Sequence, residues 1–438
     1  MQKFVIGVFL YFIFCLDAIA GNAVIGLSQA YKMALEHEAK LKSIGYQVEA
    51  KEQDVKQAES QLYPQIFSTI DNVNRDYKET TAKKSIREGY NSASISASQV
   101  IYHPEILTQI DSAKLQVDAA RVAFSKEEQD LAYKVADAYV SILKYQNGVS
   151  VAESYVKTSQ VKYQQIAEKL NLQLSNKMDL YESKLAYEQS KIILHKQEQL
   201  LLLSKLKLKN LIGIEIQEMP VIDFDTINIE ELIQFTKKQN LTDNPDLKMA
   251  RINTEVYQKE IQSAKYGHYP KLDLVATHTK YDTNDLTVDY EHDSKVMLEF
   301  KIPIFQGGKI DAQVQKNQLM LNAARESLID QERAIKEKYD ELLLNYEAAK
   351  ETIMMQRDAK NSAELYLHAI QKGYDHGLKS LIDLEDAKTK LYESKFKLID
   401  AVYTMIDSYI GILGLTGRLE IRDIEALNRL LFANNYKN

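Results

Sequence analysis

Two stretches 206 residues apart decide the fold: AESQLYPQ at residues 58–65 and AKYGHYPK at residues 264–271. Each has an Ala six residues before its Pro. Each closes a helix-like run at Tyr-Pro (Tyr63-Pro64, Tyr269-Pro270) and opens a segment of alternating polarity. Outward from both, the same plan follows: a polar loop, a second alternating segment, and a very long run free of Pro. Gly213 and Gly414 close the two copies. The six prolines fall at element boundaries, where a missing N–H costs least.

The long runs read as helices. Between Glu105 and Gly213 only Gly148 intervenes, and from Lys309 to Lys372 there is neither Gly nor Pro. Apolar residues keep a 3-4 spacing at Ile106, Ile110, Ala113, Val117, Ala120 and Phe124, lose it at Glu127-Glu128, and resume at Leu131, Val135, Ala138 and Ile142. Such a seam demands a partner helix along its length. A helix over 105–169 is ~98 Å long at 1.5 Å per residue, which fits a coiled-coil tunnel or a filament.

The alternating segments read as strands. Val296, Leu298, Phe300 and Ile302 point one way, Lys295, Met297, Glu299 and Lys301 the other. Ala93, Ile95 and Ala97 alternate with Ser94, Ser96 and Ser98; segments 65–76 and 271–280 are weaker examples. Charge on one face and apolar residues on the other suit a barrel strand between lipid and a wet lumen. Four strands per chain cannot close a barrel, and an open edge is not tolerated in lipid. Insertion therefore requires several chains; three supply twelve strands, an even number within the known range.

With 438 residues, 45% hydrophobic and 27% charged, the chain can bury a large core, and its net charge of −7 argues against nucleic acid as a partner. Residues 1–20 read as a secretory signal: Lys3, the apolar run Phe4 to Ile13, and the Ala18-Ile19-Ala20 cleavage site, leaving Gly21 first in the mature chain. The single cysteine, Cys15, falls inside it behind Phe14, so the mature chain carries no thiol and no acyl anchor. No later stretch approaches ~20 consecutive apolar residues. The resulting division is 21–220 for copy one (strands 65–76 and 91–102, long helix 105–169, return helix 176–213). Copy two is 221–419 (strands 271–280 and 295–304, long helix 309–372, return helix 379–413), and 420–438 is a tail.

Helix, Tyr-Pro, hairpin, long helix and return helix, twice over, resembles the TolC-type outer membrane efflux proteins from about Leu27 to about Leu419. The most specific stretch is GLKSLIDLEDA, residues 377–387, similar to the family's segment at the periplasmic tip. The resemblance implies a mainly α fold with a small β part, assembled as a homotrimeric channel-tunnel: a twelve-stranded barrel in outer-membrane lipid, continuous with a periplasmic coiled-coil barrel. It implies that Asp383 and Asp386, at i and i+3 on one helical face, form an aperture ring. Mutual repulsion would raise their pKa values, and divalent cations would block the opening. Tyr374, Lys379 and Asp179 match the positions that hold the family's iris shut; Lys replaces the usual Arg, giving a point contact in place of a fork. Leu172-Gln173-Leu174 and His376-Gly377-Leu378 match the tips that meet a periplasmic adaptor, although the first lacks the family's Gly-Leu. The implied partners are that adaptor and an inner-membrane pump of RND or ABC type.

No nucleophile–base constellation is visible, the eight His show no metal-ligand spacing, and Gly307-Gly308 lacks the Lys-Ser/Thr of a phosphate loop. The chain reads as no enzyme, with no cofactor. A duct for efflux or type I secretion is the first reading. The alternative is a periplasmic coiled-coil structural or adaptor protein with a soluble β-domain.

Overall fold

A computed structural model describes residues 25–79, 84–216, 219, 240–283, 291–417, 419 and 421–432. The signal segment lies outside the described residues. Helices α1 (Leu27–His37) and α2 (Ala39–Ser60) lead into strands β1 (Gln65–Glu79) and β2 (Lys84–Tyr102), then α3 (Pro104–Asn171) and α4 (Lys177–Ile212). A one-turn 3-10 helix (Leu241–Asp243) and α5 (Pro245–Tyr266) precede β3 (Lys271–Thr283), β4 (His292–Lys301), α6 (Lys309–Asp375), α7 (Leu381–Leu415) and α8 (Ile421–Phe432).

Pro104 opens α3 at the first turn, where its absent N–H is no loss. Its 68 residues give a length of ~100 Å. The helix runs straight through Glu127-Glu128, where the apolar spacing breaks. Glu127 turns inward there, and its carboxylate lies 2.6 Å from the Lys40 ammonium of α2 and 3.8 Å from that of Lys134. Gly307 and Gly308 take φ of 60° and 78° between β4 and α6, the left-handed conformation that glycine adopts without cost. Segment 420–438, read as a tail, contains helix α8, and its Asn428 side chain accepts the Leu27 N–H at 2.9 Å, capping α1 from the other end of the chain.

The main core lies around the middle of α3. Leu131, Val135, Tyr139 and Ile142 pack with Leu27 and Tyr31 of α1, Leu208 of α4, and Met405, Ile406 and Ile410 of α7. Tyr139, fully buried, donates its hydroxyl to the Ile25 carbonyl at 2.9 Å. Helix α7 is long and apolar enough by length and composition to cross a membrane, but more than half of that stretch is buried inside the chain. Its apolarity is that of a core helix.

The four strands form one antiparallel sheet in the order β1-β2-β3-β4. β2 therefore joins the two hairpins by pairing with β3, with a bulge between Val100 and Tyr102. β1 and β2 extend beyond their expected limits, pairing through Glu79↔Lys84, while β4 stops at Lys301. Pro303, which has no N–H to donate, stands two residues further on.

Candidate functional site

The strand register sorts the sheet into two unlike faces. Ile66, Ala97, Ala276 and Val296 line up in one row, Gln99, Leu274 and Leu298 in the next, and Leu272 with Phe300 beyond. On this face Ile66, Ile70, Val296, Leu298 and Phe300 are all exposed. Toward the end remote from the helices the rows turn to His278, Lys280 and His292. From Leu272 to Lys280 the strands run roughly 27 Å, of which the apolar rows from Leu272 to Ala276 cover about half. The opposite face is mixed but carries the hydroxyls and charges: Thr69, Ser94, Thr279 and Asp293 in one row, Phe67, Ser96, Thr277 and Lys295 in another, and Val275 with Met297 beyond. A soluble β-domain would cover its apolar face; no described element of this chain does.

At the far end, two helical hairpins turn with matching geometry. In the α3–α4 tip the Leu174 N–H donates to the Lys169 carbonyl (2.7 Å); in the α6–α7 tip the Leu378 N–H donates to that of Gly373 (2.8 Å). Gly377 takes φ 72°, and Gln173 takes φ 59° at the corresponding point. The first tip thus folds without the glycine, at a backbone cost of about 1–2 kcal/mol. We expect Gln173→Gly to raise thermal stability slightly without altering assembly, read by thermal unfolding; a fall would show that the Gln173 side chain contributes more than the strain it imposes.

Both return helices are capped alike. The Asn176 side chain accepts the Asp179 N–H at 2.9 Å, and the Ser380 hydroxyl accepts the Asp383 N–H at 3.1 Å. The Asp383 carboxylate accepts the Ser380 N–H (3.0 Å) and hydroxyl (2.9 Å) in return, a reciprocal capping box. Asp179 and Asp383 therefore occupy the same position of their helices, 204 residues apart. The bonds from Ser380 hold the Asp383 carboxyl below the usual aspartate range, opposite in direction to the ring repulsion that several chains would add. Asp386 is exposed, with its carboxylate 2.6 Å from the Lys390 ammonium.

Of the three latch positions, Tyr374 and Asp179 come close. Burial, followed by the Asp179 carboxylate, pushes the Tyr374 hydroxyl above the usual tyrosine range. No hydrogen bond or ion pair joins Tyr374 or Lys379 to Asp179 among the described residues; the Asp179 carboxylate accepts from Ser175 (3.1 Å) and Asn176 (3.2 Å). Lys379 folds back on Gly373, where an added Cβ would come within 2.8 Å of the Lys379 Cγ. The tip side chains Leu172, Leu174 and Leu378 are exposed, as are Met178 and Ile382 beside them, which sequence reasoning did not single out. Together they make an apolar collar.

A buried polar cluster just above the tip was not visible in the sequence. Lys162 of α3 is only 8% exposed, and its ammonium lies 3.7 Å from the centroid of the Tyr374 ring. Glu385 and Lys388 of α7, also buried, pair at 2.8 Å. The second Glu385 carboxylate oxygen and the Ser159 hydroxyl are buried with no hydrogen-bond partner. Burial, then Lys388 and Lys169, lower the Lys162 pKa to about 8. An aromatic face returns about 0.5–2 kcal/mol to a cation, less than the several kcal/mol of removing an ammonium from water.

An amphipathic sheet at one end and helical hairpins of ~100 Å at the other define the class of channel-tunnel subunits, which lead from a membrane into a long helical body. The chain belongs to the outer membrane efflux protein family, whose model matches residues 30–214 and 237–418. It is 24% identical to outer membrane protein TolC of Escherichia coli (strain K12), over 92% of this chain and 85% of that protein. It is 22% identical to proteases secretion protein PrtF of Dickeya chrysanthemi, over 92% and 90%. Among solved structures it superposes on CusC with a TM-score of 0.80 (17% identity, 90% of this chain and 92% of that one). The open state of the Neisseria gonorrhoeae MtrE outer membrane channel gives 0.75 (16% identity, 90% and 89%). The protein is an outer-membrane exit duct with a periplasmic helical tunnel, in a family of channels and not of enzymes.

Proposed function

We propose that three copies pool their sheets into a twelve-stranded barrel and their hairpins into one tunnel, making the passive exit of a tripartite efflux pump or type I secretion system. The observation that carries this is a four-stranded sheet with faces of opposite polarity and two open edges, β1 and β4. In lipid each unpaired backbone group costs several kcal/mol, and joining β1 of one copy to β4 of the next pairs the two edges along the length of β4. The 206-residue echo is the trace of two copies of one unit, which let a single chain supply both hairpins. The family's description names efflux and that of PrtF names protease secretion, which favours both export routes. Heat-resistant trimers in detergent extracts of membranes are the expected result. Release as a monomer by osmotic shock would overturn the proposal and favour the coiled-coil adaptor alternative.

The apolar collar of Leu172, Leu174 and Leu378, with Gln173, His376 and Gly377 at the turns, is the docking surface for a periplasmic adaptor, which recruits an inner-membrane transporter. Asp383 and Asp386 ring the aperture. Tyr374, Lys379 and Asp179 form the latch when the tips converge; exposed bonds of this type contribute about 0–1 kcal/mol each, so modest adaptor binding releases them. Tyr374→Phe with Lys379→Ser is expected to raise resting single-channel conductance severalfold with trimers intact. A channel as closed as the native one would remove the latch assignment.

A further inference from the structure

The contact between α3 and α7 changes character along its length. Nearer the core it is a ladder of satisfied pairs: Tyr133 donates to Asp407 (2.8 Å), Tyr403 to Asp137, and Lys144 to Asp400 (2.5 Å). Further down, Tyr155 bonds Thr389 (3.1 Å) and stacks on Tyr392 with ring centroids 4.3 Å apart. The ladder then ends in groups that do not satisfy one another. Ser159 is 1% exposed with a free hydroxyl, Glu385 keeps one buried oxygen unpaired, and Lys162 has no carboxylate within 4 Å among the described residues. The α6–α7 hairpin has its own small core at this level, Ile370, Leu384 and Ala387 with Leu367 and Tyr374 packed on it. It can therefore leave α3 as a unit, parting where the seam is least satisfied.

We propose that Lys162 is a built-in opener of the tip: its ammonium, sealed between α3, α6 and α7 with no carboxylate in contact, favours the state in which the α6–α7 hairpin moves off α3 and water reaches it. This rests on the duct reading of the tips and deepens it. Assembly of further copies cannot expose the lysine. Within the chain, the charges around it do not offset the cost of its burial. Lys169 on α3 and Lys388 on α7 repel it; Glu385 on α7 and Asp375 on α6 attract it, but Glu385 is already paired with Lys388. From α6 it meets the uncharged face of Tyr374, and on α4 Asp179 acts on the Tyr374 hydroxyl. The latch and the opener thus meet at one ring and pull in opposite directions.

Protonation sets the direction of the effect. Lysine in the packed tip releases its proton near 8, against 10.5 when hydrated, so the packed state holds fewer protons. Below pH 8 both states are charged and the full cost of packing applies; it fades as pH rises from 8 to 10.5. Between about pH 7 and 9.5 the packed state gains roughly 30-fold over the open one.

The experiment records the native trimer, Lys162→Met and Lys162→Arg in planar bilayers from about pH 7 to 9.5, after each variant is shown to form heat-resistant trimers. The native resting conductance should fall with pH. The Met variant should stay low at every pH, and the Arg variant, which cannot lose its charge, should stay high. A Met variant that conducts more than native, or a native channel as flat with pH as the Arg variant, overturns the proposal. A second readout needs no current: in detergent at neutral pH, maleimide labelling of Ser159→Cys should be at least about tenfold slower when combined with Lys162→Met than when Lys162 is kept. Equal or faster labelling overturns the proposal as well. If no variant conducts, the duct reading fails, and the labelling rates alone decide whether Lys162 loosens the tip.

Discussion

Val296→Arg is expected to abolish heat-resistant trimers in membrane extracts, while Ser94→Arg leaves them at native abundance. Val296 stands in the row Ile66, Ala97, Ala276, Val296, with 77% of its surface exposed, and no described part of the chain covers it. An arginine at the mid-depth of a barrel's lipid face costs about 2–4 kcal/mol, and a trimer carries the substitution three times. Ser94 lies on the other face, in the row Thr69, Ser94, Thr279, Asp293, where an added guanidinium meets water. The two sites lie three residues apart along the strands, roughly 10 Å, and point to opposite sides of one sheet. Semi-denaturing electrophoresis of membrane extracts reads both. Equal trimer yields would mean that the apolar face does not meet lipid and would sink the barrel.

The sorting of β4 into two faces was legible from its alternation, with Lys295, Met297, Glu299 and Lys301 set against Val296, Leu298 and Phe300. The outer ends of β1 and β2 were not, and the reason is chemical. Beyond Asn72 and Asn91 the charged Arg75, Glu79, Lys84 and Glu88 share the sequence parity of Val73, Tyr77, Ile86 and Tyr90, so the period-2 signal disappears while the backbone ladder continues to Glu79↔Lys84. In α3 the sequence reads as one helix over 105–169 through the break in the apolar seam at Glu127; what it does not show is that Glu127 turns inward, where Lys40 from a different helix supplies the counter-charge.

At the tips, the equivalence of Asp179 and Asp383 was readable as N-x-x-D at 176–179 and S-x-x-D at 380–383, patterns whose capping bonds are local. Lys162 was not readable. A lysine between Ser159 and Ile166 in a charged helix looks solvated, and only the tertiary placement of Tyr374 and Glu385 shows it to be sealed. Local hydrogen bonding leaves a trace in spacing. Burial by a distant hairpin does not.

The cap at Asp383 also changes how its charge must be removed. Asp383→Ala with Asp386→Ala would delete the capping box together with the ring, so loss of cation block and loosening of α7 would be confounded. Asp383→Asn keeps a side-chain oxygen to accept from the Ser380 N–H and hydroxyl, and Asp386→Asn gives up only an exposed pair with Lys390, worth about 0–1 kcal/mol. The double Asn variant is therefore expected to form native trimers while the concentration of Mg²⁺ needed for half-block of single-channel current rises at least about tenfold. Native block should also weaken steeply as monovalent salt increases, since exposed carboxylates about a narrow opening act through a field that counter-ions screen. The Asn variant should show little of that dependence. Block of unchanged strength in the Asn variant would remove these two residues from the aperture. The Ala pair tests the other half of the argument: if it loses block to the same extent but opens more easily at rest, Asp383 serves the tip twice, as a charge facing the lumen and as the residue that starts its helix.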